Sequence, residues 1–351
     1  WAYIWEAAQM KIKRFEKLAA PVLSIIIALL IGTAIIEICG YHPLSAYSAL
    51  LKGAFGSFRY TMATLEKSVP LILCGIAAMV AMKSGIFNIG AEGQLFMGAI
   101  GYTVAALYLD FLPGPLHLVV CILVSILFGS AWAFVPAIMK IRIGANEVVT
   151  SIMLNYIAQL FTSYLVSGPM RADGAVSQSD PIPAATTIGE IVAGSKITWG
   201  FPLAIVLCIV FAVLFKRTQL GYEITAAGMN ARAAEAGGIQ PDRVRIIAMM
   251  ISGALAGLAG GLLVASTFGR LVETVSTSFG FDGISIAVLG LYTSVGVFLS
   301  SLLFGALHTG SLYMEMFMKI PSELIDVLQG VIIVVIASPA IFQILFKRGG
   351  K

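Results

Sequence analysis

The chain has 351 residues, 59% of them hydrophobic and 11% charged, with mean hydropathy +0.95. So much apolar surface exceeds what a soluble core of this length could bury under a solvated exterior. That excludes a cytosolic globular enzyme, a disordered chain and a secreted disulfide scaffold, and it sets the fold class as all-α, a polytopic membrane protein. The net charge of +4 is too small and too dispersed to point to nucleic acid; it carries topology information instead.

Taken in chain order, residues 1–17 hold Lys11, Lys13, Arg14 and Lys17 with Trp1, Trp5 and Phe15. This is an interfacial basic segment and not a cleaved signal peptide. A helix needs about 20 apolar residues to cross a bilayer. Charge-poor stretches within 18–346 predict ten spans: 18–38, 68–82, 93–109, 116–139, 148–167, 198–215, 246–266, 283–293, 296–314 and 326–346. The span 68–82 is short, confined between Lys67 and Lys83. The charge-free run from Gly283 to Met314 is too long for one span at a helical rise of about 1.5 Å per residue and short for two, and is split near Gly290–Gly296.

Between the spans, 40–67 reads as external, with a semi-apolar run Leu44–Phe58 along the surface. Residues 168–197, rich in Pro, Gly and Ser, read as an external loop; 216–245 form the largest cytoplasmic loop and 347–351 a cytoplasmic tail. Ten alternating spans place 15 of the 22 Lys and Arg inside and 7 outside, with both termini cytoplasmic.

One tetrapeptide recurs. Gly90-Ala91-Glu92-Gly93 returns as Gly280-Phe281-Asp282-Gly283, each copy beside a short span. In the topology above the first lies on the cytoplasmic side and the second outside. Transporters built from inverted repeats carry short, Gly-interrupted segments at corresponding places in two halves, and five spans per half would invert the second half. Irregular backbone at membrane depth survives only where protein or a water-filled cavity satisfies it. Polar side chains there mark a pathway or hinge. The set is Asn88, Glu92, Gln94, Asn146, Glu147 and Asn155 in the first half, Asp282 and Ser285 in the second. Asn and Gln offer both donor and acceptor to hydroxyl-rich neutral ligands. For Glu92 and Asp282 the stronger reading is a cap on the helix that follows each. On the seventh span Gly253, Gly257, Gly261 and Ala265 recur every fourth residue, a face for close packing within the chain.

The remaining candidates are bland. Cys39, Cys74, Cys121 and Cys208 stand singly in or beside apolar stretches, and His42, His117 and His308 are far apart, so neither a disulfide framework nor a metal site is expected. There is no G-x-x-x-x-G-K-[ST] phosphate loop, HExxH or G-x-S-x-G. The chain is therefore read as a conduit, not an enzyme, with its energy supplied by a partner. Thr225–Ala236, nearly charge-free and stopped by Gly237 or Gly238, reads as a short helix on which that partner docks.

GIFNIGAEGQLFMGA (85–99) resembles the signature of bacterial ABC importer permeases of the ribose/branched-chain amino acid class. Its FNIGAEGQ form and GANEVVTSIMLNYIA (144–158) are most similar to the nucleoside branch. The run containing Gly228, Asn230, Ala233, Ala234 and Gly237 resembles the family's ATPase-coupling motif, and FGFDGISIA (279–287) is typical of the family. A doubled Gly237-Gly238 departs from the commoner single glycine. The resemblance covers about 18–345 and implies a fold similar to vitamin B12 importer permeases. It also implies a separate ATPase subunit that binds ATP and Mg, a second, non-identical permease subunit, an external substrate-binding lipoprotein and a nucleoside cargo. No cofactor is implied for the chain itself. A pentose or hexose cargo, or an ion-coupled carrier acting alone, are the competing readings.

Overall fold

The computed structural model describes residues 26–27, 29–321, 323–324, 326–327 and 330–331. The segment 1–17, the tail 347–351 and parts of the first and last expected spans lie outside the described residues. Among the described residues the chain is helical, with two isolated bridges, Gln178–Val272 and Glu190–Thr198, in place of strands.

Among the described residues, those up to Tyr60 together with those from Ala306 onward form one compact unit. Helix α1 (Leu29–Ile38) turns through 118° into α2 (Pro43–Phe55). Gly40, at φ 84, makes the turn, and Pro43 opens α2 at a position where a missing N–H costs nothing. The semi-apolar run from Leu44 is thus the helix α2, which buries Ala46, Ala49, Leu50 and Gly53. The Tyr47 hydroxyl donates to the Leu29 carbonyl at 2.8 Å.

The second unit, Thr61–Gly305, carries the core. Helix α3 (Phe58–Lys83) runs 26 residues, far longer than the expected 68–82. Lys67, which bounded the expected span, is absorbed by protein, its ammonium 5.4 Å from the centre of the Phe279 ring; the neighbouring Glu66 accepts from the Thr198 N–H and hydroxyl, each at 2.8 Å. Helix α4 (Ala91–Tyr108) is almost wholly buried between α5 (Gly114–Ile143) and α10 (Pro241–Leu262), the three packing extensively on one another. Glycine makes this closeness possible. A Cβ on Gly98 would overlap the backbone of Gly257, and one on Gly257 would stand 2.6 Å from the Ser125 carbonyl. The Ser125 hydroxyl donates to the Gly257 carbonyl at 2.7 Å. The four-residue glycine spacing on α10 therefore serves packing within the chain, as expected.

Helix α6 (Glu147–Ser167) begins at Asn146, whose side chain accepts from the Val148 N–H at 2.9 Å, and Glu147 pairs with Lys140 at 2.6 Å. After α7 (Gly200–Arg217) the chain doubles back into α8 (Gln219–Met229) and α9 (Ala231–Ala236). Helix α10 ends in a π-turn, Leu263–Phe268. Residues 178–188 strap across the strand-like stretch after that turn through Ser179 N–H to Leu271 O, Ile182 N–H to Gly269 O and Ile188 N–H to Ala265 O, at 2.9–3.0 Å. Helices α11 (Phe279–Leu289) and α12 (Ser294–Met318) are separated at Gly290–Thr293, within the split expected from the charge-free run.

By length and composition six described helices can cross a membrane, seven if α1 and α2 count as one broken span. Of the ten expected spans, the described helices supply six or seven by this measure. Helix α4 opens on Glu92 and Gln94 and is sheltered by its neighbours, α11 has only 11 residues, and the last expected span falls largely, the first partly, outside the described residues.

Candidate functional site

The two G-x-acid-G copies meet. They were expected on opposite sides of the membrane, yet α4 and α11 begin beside each other: a Cβ on Gly280 would overlap the Glu92 backbone nitrogen and stand 2.6 Å from its Cα. Only glycine at 280 allows that approach. The expected capping also takes a different form. Glu92 sits in the first turn of α4 but accepts from the Gly280 N–H, in the first turn of α11, at 2.7 Å. The Ser276 side chain and the Ser278 backbone add hydrogen bonds to the same carboxylate. Glu92 therefore caps the helix across the junction and not its own. One carboxyl group lies between two helix N-termini, whose N–H groups and dipoles both suit an acceptor oxygen. Ser278, at φ 72, bends the chain into α11.

A second group holds the segment that leads into α4. The side-chain amides of Asn88 and Gln94 bond reciprocally, Asn88 Nδ2 to Gln94 Oε1 at 3.0 Å and Gln94 Nε2 to Asn88 Oδ1 at 3.1 Å. Asn88 also donates to the Ser252 hydroxyl at 2.8 Å, and that hydroxyl donates to the Ala77 carbonyl at 2.7 Å. The Gly90 N–H donates to Asn88 Oδ1 at 3.0 Å. From α6, Asn155 accepts the Gly93 N–H at 2.8 Å and donates to the Ile89 carbonyl at 3.0 Å. Asn88, Glu92, Gln94 and Asn155 are all buried. Residues from α3, α4, α6, α10 and α11 thus converge on one point, and buried amides satisfied in this way fix a unique backbone path.

Other expected residues lie elsewhere. Asn146 is spent on the cap of α6. Ser285 is buried and donates within its own helix to the Phe281 carbonyl at 3.5 Å. Asp282 stands in the first turn of α11. Sequence reading missed Ser252, which ties α10 and α3 to Asn88; a lone serine in a glycine-rich span gives no signal of its own. It also missed Gly280 as the partner of Glu92, because nothing in the linear order joins positions so far apart.

The loop 216–245 differs from expectation as well. The helix expected across Thr225–Ala236 is broken at Asn230, whose side chain accepts the Ala233 N–H at 3.1 Å and starts α9 anew. Gly237 closes α9 and Gly238, at φ 83, turns the chain away. A groove of about 520 Å³ runs between α8 and α9, lined by Tyr222, Met229, Asn230, Ala233, Ala234 and Gly237 among others. Asn230, Ala233 and Gly237 are exposed, whereas Ala234 is buried. Gly228 turns inward: a Cβ there would overlap the Lys83 carbonyl and stand 2.9 Å from the Gly85 nitrogen. Arg245 fastens the same place, donating to the Ser84 carbonyl at 3.3 Å and the Ala227 carbonyl at 3.4 Å. His117 packs against the Ala105 carbonyl at 3.0 Å, the four cysteines are free, and no cluster of metal-ligating side chains occurs among the described residues.

Comparison with known proteins places this geometry. A family model described as the permease component of a branched-chain amino acid transport system matches residues 60–337. The guanosine ABC transporter permease protein NupP of Bacillus subtilis (strain 168) is 34% identical, covering 96% of this chain and 97% of its own length. The nucleoside ABC transporter permease protein NupB of Lactococcus lactis subsp. cremoris (strain MG1363) is 33% identical over 95% of this chain and 94% of its own. The glucose ABC transporter permease protein TsgB13 of Haloferax volcanii is 32% identical over 94% and 91%. With a family match over most of its length and relatives above 30% identity nearly end to end, this chain belongs to the family of branched-chain amino acid transport system permease components, membrane-embedded transport subunits of ABC systems and not themselves enzymes.

Proposed function

We propose that the chain forms the translocation pathway of an ATP-driven importer of nucleosides. The observation that carries the cargo is the near full-length identity, 34% and 33%, to permeases named for guanosine and for nucleosides. A sugar cargo has a single counterpart among the relatives described above, at 32%. The remaining parts of the reading are ten spans in two inverted halves, like vitamin B12 importer permeases, in a bacterial cell membrane with both termini cytoplasmic. A second, non-identical permease pairs with this one, a binding lipoprotein delivers cargo at 168–197, and a separate ATPase subunit, which alone binds ATP and Mg, acts on 216–245.

The geometry supports a mechanical route. The exposed residues Asn230, Ala233 and Gly237 receive the ATPase. Gly228 and Ala234 transmit the push inward. Because Gly228 rests on the Lys83–Gly85 backbone, movement of α8 reaches the end of α3 and the segment 84–90. That segment ends at the amide network and the junction of α4 with α11. Asn88, Glu92, Gln94 and Asn155 serve this hinge, their hydrogen bonds being spent on one another, on the Ser252 and Ser276 side chains and on backbone. Asp282 and Ser285 belong to its α11 side, and Asn146 holds the start of α6.

The deciding experiment reconstitutes the chain with its ATPase, binding protein and second permease in vesicles and follows labelled guanosine. ATP-dependent guanosine uptake supports the proposal. Uptake of ribose or glucose in preference to guanosine refutes the cargo, and uptake that persists without ATP and collapses with an uncoupler refutes the ATP-driven mechanism.

A further inference from the structure

A cavity of about 570 Å³ opens between the end of α3, residues 85–87, α8 and the turn joining α11 to α12, a size within the roughly 300–1,000 Å³ of small-molecule sites. It is separate from the buried amide network and borders the Gly85–Gly228 contact through which movement of α8 is passed on. Three features converge in it. Phe87 and Tyr292 line it, 39% and 37% exposed, offering aromatic surface to a planar ring. Lys83 also lines it, its ammonium 5.0 Å from the centre of the Phe215 ring. No carboxylate lines the cavity, so within it the Lys83 ammonium faces no acid. Finally, Leu291 and Tyr292 hold φ 52 and 53, two successive non-glycine residues in the left-handed region. Strain of this kind persists where surroundings over-determine it and concentrates at ligand clamps and switches.

Aromatic walls alone would suit a neutral nucleoside, but such a ligand leaves the ammonium without a counter-charge. A planar base bearing an anionic group answers both. We propose that this cavity is a regulatory site for a nucleoside monophosphate, the base against Phe87 and Tyr292 and the phosphate at Lys83, and that its occupation slows uptake. The ligand enters from the side that bears α8 and α9. It wedges between residues 82–87 and 225–229, the two stretches whose backbones touch at Gly85 and Gly228, and so opposes the transmission of movement from α8 to α4. Phosphorylation of the imported nucleoside inside the cell would supply such a ligand. The inference rests on the nucleoside-importer reading above.

The test uses the complete complex in phosphatidylcholine vesicles, oriented with the ATPase facing the lumen. The lumen holds ATP with or without guanosine 5′-monophosphate, and initial uptake of labelled guanosine is followed. The expected result is inhibition by the monophosphate and none by inorganic phosphate. Lys83→Gln and Tyr292→Ala should each raise the half-inhibiting concentration by about tenfold, the loss of one charge-assisted or stacking contact, with inhibition measured against each variant's own uptake without monophosphate. Lys83→Arg should retain inhibition. Equilibrium dialysis of labelled monophosphate against the solubilised complex measures the site directly, independently of transport. Equal inhibition in wild type and Lys83→Gln, inhibition matched by inorganic phosphate, or no bound monophosphate in a complex that imports guanosine would each overturn the proposal. A complex that binds the monophosphate through Lys83 but imports no guanosine would instead refute the cargo reading and leave the site standing.

Discussion

Glu92 is placed in the first turn of one helix and used as the cap of another. Replacing it with alanine leaves the buried Gly280 N–H without its partner, a loss of about 1–3 kcal/mol. Thermal unfolding of the purified complex in detergent should fall measurably for Glu92→Ala and less for Glu92→Gln, which keeps an acceptor oxygen; unchanged melting for both would show that the contact contributes nothing. Gly280→Ala is expected to be at least as severe, because its Cβ meets backbone that cannot swing aside, and overpacking of this sort costs about 1–3 kcal/mol. Asn155→Ala strips partners from the Gly93 N–H and the Ile89 carbonyl together. These residues were legible as candidates because polar side chains in an apolar chain stand out. Their pairings were not, since Glu92 and Gly280 are joined by tertiary packing alone. Asn146 shows the reverse error: an amide in the right composition whose bonds are entirely local.

At the scale of elements, the break at Asn230 divides the loop helix into a buried-facing α8 and an exposed α9. Asn230→Ala removes the cap, worth about 1 kcal/mol, and should weaken the coupling of ATP hydrolysis to uptake while the chain still inserts and docks its binding protein. Ala233→Arg should abolish uptake by blocking the partner's seat, and Gly228→Asp should do the same from within by forcing α8 off the Lys83–Gly85 backbone. Comparing ATPase rate with guanosine uptake separates coupling from assembly; normal uptake in all three would remove 216–245 from the transmission route. The break itself was hidden in the sequence because alanine-rich runs favour one continuous helix and an Asn within them serves as a cap only when its own backbone turns extended, as Asn230 does. Helix α3 was underestimated for a related reason. Lys67 reads as a span boundary until the Phe279 ring is seen beneath it. Glycine spacing on α10 was the pattern that carried most directly from sequence to packing.

For the whole molecule, composition pointed to a membrane fold and the repeated tetrapeptide to the place where α4 and α11 begin side by side. Charge alternation counts loops on either face and has no means of showing that two helix starts so far apart in sequence pack together. Buried amides and a shared carboxylate hold a junction, and a glycine contact links it to the loop. The most direct measurement is therefore uptake by reconstituted vesicles with and without the ATPase subunit, all other components being present. Accumulation of labelled guanosine only when the ATPase and ATP are both supplied is the predicted result. Sustained accumulation by the permease in the absence of that subunit would contradict the account.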